Sequence, residues 1–279
     1  MRPETPIHSL LAATLTATFL TAAFLTAGCA GPPDVRAWRA SSVVPRPESQ
    51  RGSPQDEIVR VQLLRSQLDL RDSRQLALTL ATENPGDETS LYLASRAESD
   101  AVFLFSGAES DKRAVAALSA LDYAQRAVAV GAKGADARAQ LAWALGTTTH
   151  LQPMFDRTEH AHKTLRAINR ALAVGPDNTT ALATLSILRL RVATLPWIVK
   201  LMAGDLPEAS VEGAVASGRR CVERLPSVEH RLLLARALVA CDRVGEARTV
   251  LQEATVSPPA YPRDRELLRE AVHLLQEIQ

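Results

Sequence analysis

The sequence predicts an all-α array of antiparallel helical hairpins, an α-solenoid closed by a C-terminal capping helix. Three observations carry that prediction. Tyr123-Ala-Gln-Arg-Ala-Val-Ala-Val-Gly131 is echoed 44 residues on by Ala167-Ile-Asn-Arg-Ala-Leu-Ala-Val-Gly175. Each copy has helical spacing, breaks at glycine and is followed by a second helical pattern. A small residue also recurs five positions before a proline: Ala171 before Pro176, Cys221 before Pro226 and Ala254 before Pro259. A small side chain lets two helices approach, and the proline ends the helix, which is the rhythm of a hairpin repeat. Finally, hydrophobic residues make up 46% of the chain but aromatics only 4%. The apolar content is largely Ala, Leu and Val, and Ala and Leu favour closely packed helices.

Residues 1–28 read as a signal segment outside the fold. Arg2 is the only cation ahead of an uncharged apolar run over 10–27, which ends in Leu25-Thr-Ala-Gly-Cys29. An uncharged run of 18 residues is also just long enough for a plain membrane anchor. The small residues before the cysteine and the loop-like sequel favour cleavage. Residues 29–55 form a tether punctuated by Gly31-Pro-Pro33, Pro45-Arg-Pro47 and Gly52-Ser-Pro54, with Trp38 as its one bulky residue. As a flexible coil, the stretch after Cys29 spans roughly 25–30 Å r.m.s..

Residues 56–279 carry the helical patterns. The stretch 56–83 predicts one helix or two short ones, and 87–105, 111–130 and 135–147 predict the next three. An irregular connection over 147–158 leads into helices at 159–174 and 177–195, the second with Leu182, Leu185, Leu188, Val192 and Leu195 on a clean core-facing pattern. The apolar stretch 196–205 interrupts the array, as an ordered loop packed over the hairpins or a brief extra helix. Helices at 208–225, 228–241 and 245–256 follow, and Pro226 to Pro259 is 33 residues, close to the tetratricopeptide period of 34. The helix at 263–278 mixes charge with Leu267, Leu268, Val272 and Leu275, as a polar-faced cap does.

The residues before Cys29 resemble the lipobox of bacterial lipoproteins, in which the cysteine is lipidated and becomes the new N-terminus. Thr26 stands where that family prefers Leu. The wider layout resembles the tetratricopeptide-like T-component lipoproteins of bacterial tripartite ATP-independent periplasmic (TRAP) transporters and the regulator-of-microtubule-dynamics family. The hairpins around Tyr123–Gly131 and Ala167–Asp177, the stretch from Pro196 to Asp205 and the terminal 33-residue repeat carry this resemblance. It implies a lipid-anchored, periplasm-facing protein, and Ala30 after Cys29, where no Asp stands, is compatible with outer-membrane sorting in a diderm cell. It also implies a protein partner held by the helical array. The alternative it implies is a transporter accessory that shelters a small apolar ligand in an oligomer.

Formal net charge is +1, from 32 basic and 31 acidic residues, so no global field draws the chain to nucleic acid or to an anionic membrane. No Gly-x-Ser-x-Gly elbow, cysteine beside a histidine, or phosphate-binding Gly-x-x-x-x-Gly-Lys loop is present. The chain therefore reads as a non-enzymatic binding module without cofactor or metal. His150, His160, His162 and His230 lack the i, i+3 or i, i+4 spacing of a chelating pair and read as surface histidines. Cys221 lies about one helical turn from the hairpin bend and Cys241 roughly 20 Å beyond it on the antiparallel partner, too far apart to bridge, and both read as small buried residues. In so aromatic-poor a chain Trp143, Trp197 and the connecting Phe155 stand out. Trp143 and Trp197, with Arg189 and Arg191, are the candidate partner surface; the simpler role of the tryptophans is to fill gaps between Ala-rich helices.

Overall fold

Polar caps set where the helices begin. The side chains of Ser53, Asp69, Asp87, Asn178, Ser210 and Ser227 each accept a hydrogen bond from a backbone N–H three residues on, satisfying a first-turn donor that has no partner inside its helix. The computed structural model describes residues 53–67, 69–103, 105, 109–131, 134–153, 156–259 and 263–279. The signal segment, Cys29, Trp38 and Phe155 lie outside the described residues.

Twelve α-helices run through them: α1 Pro54–Ser66, α2 Leu70–Glu83, α3 Glu88–Ala101, α4 Ser110–Ala129, α5 Ala135–Thr148, α6 Arg157–Val174, α7 Thr179–Ala193, α8 Trp197–Ala203, α9 Val211–Arg224, α10 Val228–Ala240, α11 Val244–Thr255 and α12 Asp264–Glu277. The chain is thus the all-α hairpin array that the repeats predict. The stretch 56–83 resolves into two helices. The first begins at Pro54, just before the expected boundary, because Ser53 caps it and proline suits a first helical turn.

The helices alternate between two layers. α1, α3, α5, α7, α10 and α12 each pack on the next of their own set and form an inner layer. α2, α4, α6, α9 and α11 each fill the space between two successive inner helices. Ser95 on α3 donates its hydroxyl to the Ala120 carbonyl on α4 at 2.8 Å, and Ser186 on α7 donates to Ala214 on α9 at 2.7 Å. The same small polar bond thus fastens two hairpins.

Among the described residues seven buried clusters follow one another along the array, each shared between neighbouring helices, as repeat architecture requires. Ala171, Cys221 and Ala254, the small residues that mark the repeat, have no exposed surface. Gly175 serves a close approach: a Cβ there would lie 2.7 Å from the Ala135 Cβ at the start of α5.

Two expectations are corrected. Residues 197–203 form the brief extra helix, one of the two expected alternatives, and α8 stands out from the body. Trp197 is 75% exposed, Leu201 72% and Met202 68%, so Trp197 fills no gap between helices. Cys221 is buried, whereas Cys241, in the turn that ends α10, is only half-buried; both are free thiols.

Candidate binding groove

The inner layer presents a face of charged and aromatic side chains. Arg65 on α1 reaches Asp100 on α3 through its Nε at 2.8 Å. Arg96, one turn before Asp100, donates to the Tyr92 hydroxyl at 2.8 Å. Trp143 on α5 is half-buried, and on α10 Arg236 forms an ion pair with Glu270 of α12.

The start of the cap closes onto this face. Arg263 places its guanidinium carbon 4.6 Å from the centre of the Phe103 ring and 5.0 Å from that of Trp143. It also forms an ion pair with Glu229 at the start of α10, its side chain only 11% exposed. Burial pulls the Arg263 pKa down to about 10, while Asp100 and Asp264 oppose that change and Arg96 and Arg65 add to it. The group is still cationic at pH 7. Trp143 is thereby engaged by the chain's own C-terminal segment, a pairing that no local pattern could reveal.

Beyond Arg263 the groove is basic. Arg191 on α7 is solvent-accessible, yet surrounding protein lowers its pKa, and Arg236 lowers it further. Among the described residues no carboxylate pairs with it. His150, after α5, is pushed below the ordinary histidine range first by burial, then by Arg191, Arg113 and Arg157, against a raising backbone hydrogen bond with Thr147. A partly desolvated cluster of like charge is a surface that an anion stabilises.

Arg189 is not part of this face. Its guanidinium crosses to α9 and donates to the Gly213 carbonyl at 3.1 Å and the Ser217 hydroxyl at 2.9 Å. It is a strap between helices, and Arg191 is the arginine that faces the groove.

His150 is exposed as expected, whereas His160, His230 and His162 are less exposed than their spacing suggests. His160 is buried, with Nε2 donating to the Leu145 carbonyl at 2.8 Å. His230 is buried with Nδ1 donating to the Leu225 carbonyl at 2.7 Å. His162 is half-buried and reaches the Asp205 backbone carbonyl at 2.9 Å. Among the described residues no group of three or more His, Cys, Asp or Glu side chains converges as a metal site would need.

Burial lowers the His230 pKa, a backbone bond to Leu225 and the Asp264 charge raise it, and Arg96 lowers it again, for a net decrease. His150 is lowered as well. A histidine with a lowered folded-state pKa takes up its proton more readily when unfolded. Stability is therefore complete above the unfolded pKa of about 6.5 and declines as pH falls from there towards the folded value. The unfolding free energy from urea titration should drop between pH 7.5 and 5.5, by at most about 1.4 kcal/mol per pKa unit of difference. His230→Asn should flatten the dependence; equal slopes in both proteins would show that His230 contributes nothing.

The fold has solved counterparts. The crystal structure of TTC0263, a thermophilic TPR protein in Thermus thermophilus, superposes with a TM-score of 0.60 at 16% identity, covering 80% of this chain and 100% of its own. YrrB, a TPR protein with an unusual peptide-binding site, gives a TM-score of 0.40 at 12% identity, covering 88% of this chain and 100% of its own; at that score it supports no argument here. No curated protein matches the chain in sequence. The family model of regulator of microtubule dynamics protein 1-3 matches residues 59–279, which contain every helix of the array except the first turn of α1, and the chain belongs to that family.

Proposed function

We propose that this chain is a non-enzymatic binding module, anchored to a bacterial envelope through Cys29, whose inner groove holds an acidic segment of a protein partner. The observation that carries this reading is Arg191: accessible, partly desolvated, beside Arg236 and His150, and without a carboxylate partner among the described residues. Paired charges such as Arg65 with Asp100 need nothing further. An unpaired guanidinium among other cations gains from an incoming carboxylate, and its planar fork suits two-point recognition. Trp143 and Phe103 give that segment apolar edges beside Arg263.

The other reading, a TRAP-type accessory that shelters an apolar ligand, calls for an apolar interior. The face instead carries charged side chains, most of them paired, as Arg65 is with Asp100, Arg236 with Glu270 and Arg263 with Glu229, and the unpaired Arg191 among them supports the acidic-segment reading.

Fluorescence anisotropy with a glutamate-rich peptide and its lysine-substituted counterpart tests it. The acidic peptide should bind at least about tenfold more tightly, with affinity falling as salt rises. Arg191→Glu should weaken it by a further factor of about ten, whereas Arg166→Glu, on the outer layer, should not. Equal binding of the two peptides, or indifference to Arg191→Glu, overturns the proposal.

A further inference from the structure

Helix α8 is the one part of the described surface where large apolar side chains are exposed in succession. Trp197, Ile198, Val199, Leu201 and Met202 are all exposed within seven residues. The helix is nonetheless held in place. The Thr158 hydroxyl on α6 donates to the Ala203 carbonyl at 3.2 Å, and His162 reaches the Asp205 backbone carbonyl just beyond Gly204. At its other end Lys200 donates to the Ala193 carbonyl at 2.7 Å, covering the end of α7. Water therefore faces a fixed apolar ridge.

The helix that holds α8 also carries a basic face. Lys163, Arg166 and Arg170 are exposed along α6 and, with Arg138 of α5, line a shallow hollow. Of the three on α6, Lys163 forms an ion pair, with Glu159 one turn away. The overall charge of +1 thus hides a local asymmetry, an apolar ridge held through Thr158 and His162 by a helix that carries a row of cations. That pairing matches an anionic lipid surface, which takes apolar side chains below its headgroups and cations at them.

Two alternatives fit less well. Seven residues at 1.5 Å each reach about 10 Å, far short of the ~30 Å hydrocarbon core, so α8 lies in an interface and does not cross it. Among the described residues no single helix is long and apolar enough to cross a membrane. A stable contact between copies draws on about 20–30 residues a side, many more than this ridge supplies.

We propose that α8 dips into the surface of the membrane that anchors the chain, with Trp197 at the headgroup level and α6 facing the anionic lipids, so that the array is held in one orientation. This rests on the anchored reading above. The apolar run over 10–27 and the tether of roughly 25–30 Å put a bilayer within reach of the body. The covalent lipid supplies attachment, and α8 supplies orientation.

The test uses the full chain carrying Trp38→Phe, leaving Trp143 and Trp197, mixed with excess vesicles of phosphatidylethanolamine and phosphatidylglycerol containing brominated acyl chains. Flotation reads attachment and tryptophan quenching reads the position of α8. The proposal expects flotation, a blue shift and roughly twofold quenching. Adding Trp197→Phe should abolish the quenching, and adding Leu201→Ser with Met202→Ser should abolish it while flotation persists. All three positions are exposed, so these variants leave the buried clusters intact. Flotation without quenching of Trp197 overturns this proposal alone and leaves the anchor standing. Quenching without flotation supports α8 and overturns the anchor; neither signal overturns both.

Discussion

Arg263→Ala is expected to lower the unfolding free energy by about 3 kcal/mol and to make unfolding less cooperative. The side chain is nearly buried between Phe103 and Trp143 and ion-paired with Glu229. Truncation removes two cation–π contacts and leaves Glu229, itself only 22% exposed, without its partner. The loss of cooperativity follows from topology. In a repeat array each hairpin normally feels only its neighbours, but Arg263 joins the cap to α3 and α5 across most of the chain. Without it, the C-terminal hairpins should exchange their amide hydrogens at a lower free energy than the N-terminal ones. Arg263→Lys keeps the charge but loses the flat guanidinium stack, and should recover about half of the stability. An alanine variant with an unchanged urea midpoint would show that Arg263 rests on the groove without holding it.

Leu232→Ala should cost about as much, roughly 3 kcal/mol, by a different route. Leu232 is 1% exposed within the C-terminal cluster that includes Val215, Leu238 and Leu251. Truncation opens a cavity that the surrounding helices cannot fill, because α9 and α10 already touch. A Cβ on Gly218 would lie 3.3 Å from the Leu234 Cα. The effect should stay local: protection falls in α9 to α12 and persists in α1 to α6, since the core is divided along the array. Uniform loss of protection across all helices would contradict that division. The two variants thus separate a neighbour contact from a long-range one at similar energetic cost.

The hairpin order was legible because it rests on local chemistry. Helix starts follow capping side chains such as Asp87 and Asn178, and most predicted boundaries lie within three residues of those observed. The repeat-marking residues Ala171, Cys221 and Ala254 are buried because close helix contact has room only for small side chains. The groove was less legible. Arg189 and Arg191 are two residues apart, about 200° around a helix, so one faces α9 and the other the groove. The periodicity of α7 alone could not decide which, so both arginines stood as candidates. His160 and His230 looked like surface residues because no spacing rule records the backbone carbonyls that satisfy them.

Sequence alone determined the fold class, the hairpin boundaries and the non-chelating spacing of the histidines, since each depends on residues within a turn or two of one another. Tertiary structure decided which arginine faces the groove, that Trp143 is stacked on Arg263, and that Trp197 faces water. Those outcomes depend on how far the array curls and on which helix covers which face. Curvature is the sum of many small packing angles between hairpins, and no single stretch of sequence encodes that sum.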